Sequence, residues 1–302
     1  MADNPTQNGR IGFVPGGKSE NGKMDRVVVL GLGNIGLPVL RHVSMVYLKA
    51  SGFDISGTAI AHAMQSGLKA STKLESSGIY VIAVNTWYRD GYSDVSAVEN
   101  CVQKISCLNP KALVCFESTL TIGTCRRLCR KYNLKYAAVC PHRWWKKDEA
   151  NYGVVQTRVL GALNRESYEK AIKFYRDLKI PVVVVSSPEV AEASKLAENT
   201  YYYLRIAYAQ ELKLMCNYNK IEFAELRRAV NTKWNVDMAE ALDGIGGECL
   251  PKDIQFLIES CQSTSLLKGA VASDIQYRKS LETVCLAPES RKTLKKPLKL
   301  HE

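Results

Sequence analysis

The sequence predicts an α/β fold: a Rossmann-type doubly wound parallel sheet, followed by a helical domain built on one long helix. Between residues 25 and 187, short β-branched runs alternate with amphipathic stretches, as in successive βαβ units. A glycine motif directly follows the first of these runs. Beyond Pro188 the chain continues to about Cys216 with no glycine or proline, which predicts the long helix.

The predicted strands are short and bounded by polar or turn-forming residues. The first covers residues 26–30, a β-branched run typical of a buried parallel strand. The others are expected at residues 54–57, 79–84, 112–116, 136–140, 158–163 and 182–185. Amphipathic stretches at 95–105 and 166–178 predict helices between them. Ser187 as N-cap and Pro188 in the first turn would open the long helix.

These elements divide the chain into four parts. Residues 1–24, rich in Gly, Asn and Pro, predict a disordered lead-in. Residues 25–187 form the predicted NAD(P)-binding domain, and residues 188–287 the helical domain. Residues 288–302 predict a solvated basic tail, with its positive charges at Arg291, Lys292, Lys295, Lys296 and Lys299.

Composition narrows the class of protein. The ten cysteines of the 302-residue chain are scattered, without a zinc-type pair of CxxC units, so we predict no metal site. No secretory leader and no apolar run of membrane-spanning length stand out, so we expect a cytoplasmic protein without a membrane partner. The net charge of +11 favours anionic partners without deciding which kind.

The first chemical motif is the glycine turn at Gly31, Gly33 and Gly36. Glycines in this spacing allow a tight turn, and they let a pyrophosphate approach the N-terminus of the following helix. An acid that binds the adenosine ribose is expected about 20 residues on, at the end of the second strand. With that strand at residues 54–57, the position falls near Thr58 and Ala59, where no acid or arginine stands. We therefore expect dinucleotide binding, with NAD preferred only weakly over NADP.

The second motif surrounds Cys249. Glycines precede the thiol at positions 244, 246 and 247, which predicts a loop whose backbone a substrate can approach. Lys252 and Asp253 place a cation and a carboxylate close to it, as thiolate activation and proton transfer would need. The other interpretation, a small buried hydrophobe, fits the remaining nine cysteines better.

The third motif is on the long helix, where Lys195 and Asn199 are four residues apart and share one face. Alanine and leucine on both sides of the pair predict a largely buried segment. Buried Lys and Asn side chains need polar partners, and an alkoxide or oxyanion would serve.

Taken in order, these motifs resemble those of the UDP-glucose/GDP-mannose dehydrogenase family, over roughly residues 26–280. The resemblance rests on six stretches in the family's order, which are residues 29–38, 84–86 with 94–96, 117–119 with 123–124, 158–161, 192–211 and 244–253.

The resemblance implies a role for each motif. Cys249 would be the nucleophile, Lys195 and Asn199 would stabilise the oxyanion, Asp253 would assist proton transfer, and Thr119 would lie at the nicotinamide and the water. The substrate would contact Lys195, Asn199, Gly244 and Gly246. The cofactor, NAD with NADP not excluded, would be bound by Gly31, Leu32, Gly33, Asn34, Ile35, Gly36, Val84, Thr86 and Ser118.

The function implied is oxidation of the primary alcohol of a nucleotide sugar to a uronate through a cysteine thioester. The resemblance points to a UDP-glucose 6-dehydrogenase-like enzyme of polysaccharide biosynthesis, and to a nucleotide sugar rather than a nucleic acid as partner. It also makes the helical domain the core of a homodimer. The apolar side chains of the long helix support this, since they exceed what one small domain would cover.

Two departures from the family affect the expected chemistry. The family generally has Pro-Glu where this chain reads Pro141-His142, and that glutamate is assigned to acid–base work on water. His142 is expected to titrate in a useful range, or else to mark lost activity. The family also carries a C-terminal nucleotide-binding domain, which we expect this chain to lack.

Two alternatives follow. A simple β-hydroxyacid-type dehydrogenase would make one hydride transfer without Cys249. A non-catalytic descendant would keep the fold and bind an anionic partner through its basic surface. The glycine–cysteine loop argues against the first alternative, and the intact set of polar site residues argues against the second.

Overall fold

The computed structural model describes residues 25–286, apart from the side chains of Lys146 and of residues 283–286. The predicted lead-in at 1–24 and the basic tail at 288–302 lie outside the described residues. The strands are β1 Val27–Leu30, β2 Ser51–Phe53, β3 Ala70–Ser71, β4 Ile79–Ile82, β5 Trp87–Arg89, β6 Tyr92–Asp94, β7 Leu113–Phe116, β8 Tyr136–Val139, β9 Arg158–Ala162 and β10 Val182–Val185. The helices are α1 Gly36–Ser44, α2 Gly57–Gln65, α3 Ser96–Leu108, α4 Thr124–Lys131, α5 Glu149–Tyr152, α6 Arg165–Asp177, α7 Pro188–Asn219, α8 Phe223–Val230, α9 Cys249–Glu259 and α10 Ser265–Leu286.

The contacts divide the described chain into two compact units, with the boundary inside α7 between Leu196 and Ala197. No helix among the described residues is long and apolar enough to cross a membrane.

The first unit contains an eight-stranded sheet with the order β10-β9-β8-β7-β4-β1-β2-β3. The central strand β1 pairs in parallel with β2 on one side and with β4 on the other. The strand order therefore reverses at β1, the arrangement that opens a ligand crevice at the carboxyl ends of the strands. This confirms the predicted Rossmann-type α/β fold.

One side of the sheet departs from the all-parallel prediction. β9 runs antiparallel to β8, and β10 runs parallel to β9. The reason is the connection between β8 and β9, which starts and ends at the same edge of the sheet and contains only a 3₁₀ turn, Lys146–Asp148, and the short α5. Without a helix crossing the sheet, the next strand has to run back in the opposite direction.

The double winding can be followed in β1, which is buried on both faces. Val27 and Val29 belong to the apolar cluster that includes α1 and α6, whereas Val28 and Leu30 belong to the cluster that includes α3 and α4. Successive side chains of a strand point to opposite faces, so one β-branched run supplies both cores.

The predicted position of the second strand was wrong. We expected it at residues 54–57, but β2 is Ser51–Phe53 and residues 54–56 already form the turn into α2. Ser56 caps that helix through its side chain, which accepts a hydrogen bond from the backbone N–H of Ala59. The polar residues that follow Phe53 serve the turn and the cap, not the sheet.

The second unit is helical, as expected, and most of α7 belongs to it. The predicted start of α7 is confirmed, since the Ser187 hydroxyl accepts a hydrogen bond from the Val190 N–H at 3.4 Å. The helix ends at Asn219, three residues beyond the expected Cys216. Two apolar clusters form along it, around Tyr203 and Ile206 and around Ala209 and Tyr277.

Candidate active site

The glycine turn connects β1 to α1 at the carboxyl end of the strand. Gly31 has φ +87°, and a Cβ there would lie 2.8 Å from the carbonyl oxygen of Ala83. A Cβ on Gly36 would lie 1.6 Å from the carbonyl oxygen of Gly31. A Cβ on Gly33, by contrast, would meet no described atom within 4 Å. Backbone packing therefore requires two of the glycines, and the open space at the third suits the close approach of a pyrophosphate.

The residues between these glycines differ in environment. Leu32 is buried in the core, Ile35 is half-buried, and Asn34 is exposed. Ile35 is also the N-cap of α1, and its side chain makes no capping hydrogen bond within the described structure. An N-terminus of this kind carries backbone N–H groups and the positive end of the helix dipole, which favour a phosphate.

An acid does stand at the end of the second strand, and it is Asp54. One carboxylate oxygen accepts a hydrogen bond from the backbone N–H of Leu32 at 2.7 Å, and the other accepts one from Ser56 N–H at 2.8 Å. Asp54 is 22 residues beyond Leu32, the spacing of the ribose-binding acid. The expectation that no acid marks the ribose site was therefore wrong, because β2 had been placed too late in the sequence.

Four predicted site residues of the first unit lie together at the carboxyl ends of β4 and β7. The Thr86 hydroxyl donates to the carbonyl oxygen of Thr119 at 2.9 Å, and the Ser118 hydroxyl donates to that of Val84 at 2.6 Å. Thr86 and Ser118 are both buried. They fix the two loops to each other, whereas Val84 and Thr119 are half-buried and border the crevice of the sheet.

A buried ion pair lies at the same edge of the sheet. Arg158 at the start of β9 is fully buried, and its Nη1 lies 2.9 Å from Oε2 of Glu117. The Tyr175 hydroxyl donates to the other carboxylate oxygen of Glu117 at 3.1 Å. Because both charges are removed from water, the loss of either partner would leave an uncompensated charge in the core.

His142 packs against this ion pair, which disfavours the first of its two expected outcomes, titration in a useful range. Its Nε2 lies 2.8 Å from Nη2 of Arg158, which can only donate. Nε2 is therefore the acceptor, and the proton resides on Nδ1, a buried atom with no hydrogen-bond partner among the described residues. Burial, followed by the charges of Arg158 and Lys195, holds the pKa of His142 well below its usual range. The imidazole is neutral at physiological pH.

The amino-terminal part of α7 contributes Glu192 and Lys195 to the first unit. The carboxylate of Glu192 accepts hydrogen bonds from the backbone N–H groups of Gly123 at 2.6 Å and Cys125 at 2.8 Å. It thereby caps α4, and burial raises its pKa to about 7. Lys195 is half-buried and lies within electrostatic reach of His142. Asn199 follows one helical turn later, in the second unit.

In the second unit, Cys249 is the first residue of α9 and is exposed. The segment before it is a loop, as expected, but the thiol itself stands at a helix N-terminus. The N-cap residue, Glu248, makes no capping hydrogen bond through its side chain within the described structure. The first turn of such a helix favours negative charge nearby, on a thiolate or on an oxyanion.

Asp253 lies in the same first turns of α9 and points into the protein. Its side chain is 1% exposed, with Oδ2 accepting from the Asn199 amide at 2.5 Å and Oδ1 lying 2.7 Å from Nζ of Lys252. The Lys252 ammonium also lies 4.5 Å from the centre of the Phe256 ring. The carboxylate thus fixes Asn199, whose amide has a second N–H that can donate to an oxyanion.

The two glycines predicted to contact substrate differ. Gly244 has φ +103°, and a Cβ there would lie 2.8 Å from the Arg278 guanidinium carbon. A Cβ on Gly246 would meet no described atom within 4 Å, and the residue is exposed. Gly244 therefore has a packing reason to be glycine, and substrate approach suits Gly246 better.

Two functional candidates were missed at the level of sequence. Asp54 would have been found by counting from the glycine turn to the nearest acid, without first fixing the strand. Glu117 and Arg158 lie in two of the stretches that carry the resemblance, but their pairing had no local signal, since they are far apart in sequence and meet because β7 and β9 flank β8.

Comparison with known proteins agrees with this geometry. Residues 57–179 match the model of the UDP-glucose/GDP-mannose dehydrogenase family, NAD binding domain, and residues 189–274 match that of the family's central domain. Together the two matches cover more than two thirds of the chain. The match to an NAD binding domain supports NAD as the cofactor.

The chain is 25% identical to UDP-N-acetyl-D-mannosamine dehydrogenase of Methanococcus maripaludis, over 84% of this chain and 66% of that protein. The chain thus spans just under two thirds of the length of that relative. A structure of UDP-D-ManNAc dehydrogenase from Pyrococcus horikoshii has a TM-score of 0.77 at 25% identity, covering 86% of this chain and 70% of that one. Mycobacterium tuberculosis 3-hydroxyisobutyrate dehydrogenase shares the fold, with a TM-score of 0.66 at 14% identity, covering 86% and 94%.

Both family models match in the order in which the two domains occur along the chain, and Cys249 lies within the match to the central domain. The chain belongs to the UDP-glucose/GDP-mannose dehydrogenase family.

Proposed function

We propose that this chain is an NAD-dependent nucleotide-sugar dehydrogenase that oxidises the primary alcohol of the sugar to a carboxylate through a thioester on Cys249. The observation that carries the proposal is the set of contacts around the start of α9, where Asp253 binds Asn199 and Lys252 behind an exposed thiol. A buried carboxylate needs polar partners, and partners held by one another in this way are pre-organised, as a catalytic site requires.

The chemistry needs two oxidations of one carbon. The alcohol first loses a hydride and a proton to give an aldehyde. The Cys249 thiolate adds to the aldehyde carbon to form a thiohemiacetal, which loses a second hydride to give a thioester. Water then cleaves the C–S bond, releasing the carboxylate and the thiol. Bound NAD supplies the hydride acceptor for each oxidation.

The roles of the side chains follow from charge. Negative charge develops on the sugar oxygen in the addition and again in the hydrolysis. The second amide N–H of Asn199 and the Lys195 ammonium would stabilise that oxyanion, and donors fixed in advance are the most effective. Asp253 holds Asn199 in place, and proton transfer through this carboxylate is part of the proposal.

For the substrate, we propose a UDP sugar. Two of the relatives reported above are UDP-N-acetyl-D-mannosamine dehydrogenases. UDP-N-acetyl-D-mannosamine is therefore the first compound to test. UDP-glucose, the substrate suggested by the sequence motifs, is the second. The open backbone at Gly246 leaves room beside the thiol for the sugar.

We also propose that α7 forms the core of a homodimer. The side chains of Tyr201, Tyr208 and Tyr218 are 65%, 59% and 88% exposed along this one helix. Ile206, by contrast, is buried within the second unit. A row of exposed tyrosines is typical of a surface that another chain covers.

The neutral His142 favours a second candidate, a dehydrogenase in which the last step is slow. A neutral imidazole whose Nε2 already accepts from Arg158 cannot also take a proton from water. In that case the first hydride transfer would still occur, but hydrolysis would lag behind it.

The test is reduction of NAD by the purified chain with UDP-N-acetyl-D-mannosamine and with UDP-glucose. We expect turnover with at least one of them, and Cys249→Ser should keep the first hydride transfer while slowing turnover greatly. Turnover that is equally fast in Cys249→Ser would exclude the thioester. No NAD binding in calorimetry and no turnover would favour the non-catalytic descendant.

A further inference from the structure

The loop that leads to Cys249 has an unusual backbone. Within six residues, three have left-handed φ angles, which are +53° at Leu242, +103° at Gly244 and +81° at Gly247. Glycine adopts such angles readily, but a leucine does so only when its surroundings hold it there. Contacts from outside the loop therefore hold this conformation.

Three side chains on one face of α10 make hydrogen bonds to this loop. The Tyr277 hydroxyl donates to the carbonyl oxygen of Leu242 at 3.0 Å. Asp274 Oδ1 accepts from the backbone N–H of Ile245 at 2.8 Å, and Nη2 of Arg278 donates to the carbonyl oxygen of Ile245 at 2.5 Å. Both ends of the Leu242 to Ile245 segment are thus bound by side chains about 30 residues further along the chain.

Asp274 connects these contacts to the core of the second unit. Asp274 is 5% exposed, and it also accepts from Nε2 of Gln210 on α7 at 3.0 Å and from Nε of Arg278 at 2.8 Å. The Arg278 guanidinium lies directly over Gly244, where a Cβ would come within 2.8 Å of it. A buried carboxylate with three donors, one of them charged, is held strongly in place.

We propose that Asp274, Tyr277 and Arg278, which we call the α10 clamp, are positioning residues for the nucleophile. By fixing Leu242 and Ile245, the clamp determines the path of the open backbone at Gly246 and Gly247. It also determines where α9 begins. It thereby places the Cys249 sulfur and the first N–H groups of the helix where the sugar carbonyl has to be attacked. The inference rests on the proposed function for its catalytic meaning.

The clamp has a specific consequence for kinetics. A nucleophile held by residues that do not touch the substrate affects the chemical step more than binding, because small displacements of reacting atoms are costly. Loss of the clamp should therefore lower kcat while the KM for the sugar and the affinity for NAD change little. A residue needed only for folding would instead lower the amount of folded protein.

The test compares Tyr277→Phe and Arg278→Lys with the control Gln276→Ala on the exposed part of the same helix. Tyr277→Phe removes one hydroxyl and keeps the ring, and Arg278→Lys keeps the charge but not the pair of hydrogen bonds. We expect kcat to fall about tenfold in each clamp variant, equivalent to about 1.4 kcal/mol. The control should match the parent chain.

A second readout needs no substrate. Alkylation of Cys249 by iodoacetamide, measured by peptide mass spectrometry, should slow at least about threefold in the clamp variants, because the first turn of α9 would fray and stabilise the thiolate less. The exposed Cys107 and Cys261 are internal references and should react at unchanged rates.

The two readouts separate the two claims. If the parent chain turns over no UDP sugar but the clamp variants show slower alkylation of Cys249, the proposed function fails and the clamp stands. If turnover occurs but kcat and the alkylation rate are both unchanged in the variants, the clamp is overturned. Thermal unfolding midpoints within a few degrees of the control confirm that folded protein is compared.

Discussion

Two glycine-rich turns lead to two helix N-termini in this chain, and they are held in different ways. The turn before α1 is fixed by its own backbone, since Gly36 packs on the carbonyl oxygen of Gly31. The loop before α9 is fixed by side chains, since Arg278 packs on Gly244 and hydrogen-bonds to Ile245. The first turn is therefore closed mainly by backbone packing, with the Asp54 carboxylate on the Leu32 N–H, whereas the second depends on a helix that follows it.

This difference determines how each turn responds to substitution. In the first turn, the two glycines that pack on backbone, Gly31 and Gly36, tolerate almost no change. A loop that is held by remote side chains can be altered from a distance. In both, a ligand can approach the glycines that face open space, which are Gly33 in the first turn and Gly246 and Gly247 in the second.

The sharpest way to break the comparison is substitution within the first turn. Gly36→Ala should destabilise the chain by about 3 kcal/mol or more, because the new Cβ would overlap backbone that cannot move independently. Gly33→Val should leave stability within about 1 kcal/mol but weaken dinucleotide binding more than about a hundredfold. Chemical denaturation and titration calorimetry measure the two effects. Equal stability of both variants would contradict the account.

A third helix N-terminus, that of α4, differs from those of α1 and α9. The start of α4 is bound by the carboxylate of Glu192, whereas the N-cap residues of α1 and α9 provide no side-chain cap in the described structure. Burial is the main cause that raises the pKa of Glu192 to about 7, with Glu189 adding to it and Arg126 opposing it. An acid with a raised pKa holds its proton more tightly in the folded state than in the unfolded state.

The sign of the pH dependence follows from that. Stability contributed by protonated Glu192 is present below about pH 4.5 and is lost as the pH rises towards about 7. Relative to Glu192→Gln, which does not titrate, the unfolding free energy should fall by about 3 kcal/mol across this window. Urea denaturation of both proteins at several pH values measures the difference. A constant difference would show that Glu192 keeps an ordinary pKa.

Glycine substitutions in the loop before α9 should lower the free energy of unfolding less than Gly36→Ala does. Gly244→Ala imposes a left-handed φ on alanine and pushes the Arg278 guanidinium aside, which should cost about 1–2 kcal/mol. Gly246→Ala, with open space at the Cβ, should cost less than about 0.5 kcal/mol. Denaturation in urea distinguishes them. A larger loss in Gly246→Ala than in Gly244→Ala would contradict the proposed packing.

The smallest expected effect concerns cofactor choice. Asp54 can accept a hydrogen bond from a ribose hydroxyl and would repel a 2′-phosphate. Asp54→Asn keeps an acceptor for the Leu32 N–H but removes the charge, so the preference for NAD over NADP should fall about tenfold, or about 1.4 kcal/mol. Calorimetry with both dinucleotides measures the ratio, and an unchanged ratio would show that Asp54 does not face the ribose.

The sequence predicted the fold well where the signal is local. Seven β-branched or apolar runs and one long uninterrupted helix were enough for the architecture, because buried parallel strands and helices differ in period and length. The antiparallel β9 and β10 were missed, since strand direction depends on whether a connection crosses the sheet. β2 was misplaced because its three residues, Ser-Gly-Phe, carry little strand signal of their own.

The site was predictable to the extent that its residues lie in motifs. The motifs predict Cys249, Asp253 and Asn199 as site residues, and the contact between the Asn199 and Asp253 side chains agrees with a shared role. The α10 clamp and the neutral state of His142 were not foreseeable. Both depend on which side chains burial brings together across dozens of residues, and a pattern of residue types does not encode that.

The central claim, oxidation of one carbon twice through Cys249, is tested most directly by counting. The measurement is the number of NAD molecules reduced per UDP sugar consumed, with the product identified by mass spectrometry. We predict two NAD molecules reduced per sugar and a uronate as product, with Cys249→Ser accumulating no acid at a comparable rate. One NAD molecule reduced per sugar, with a stable aldehyde or ketone as product, would contradict the thioester and make this chain a simple single-step dehydrogenase.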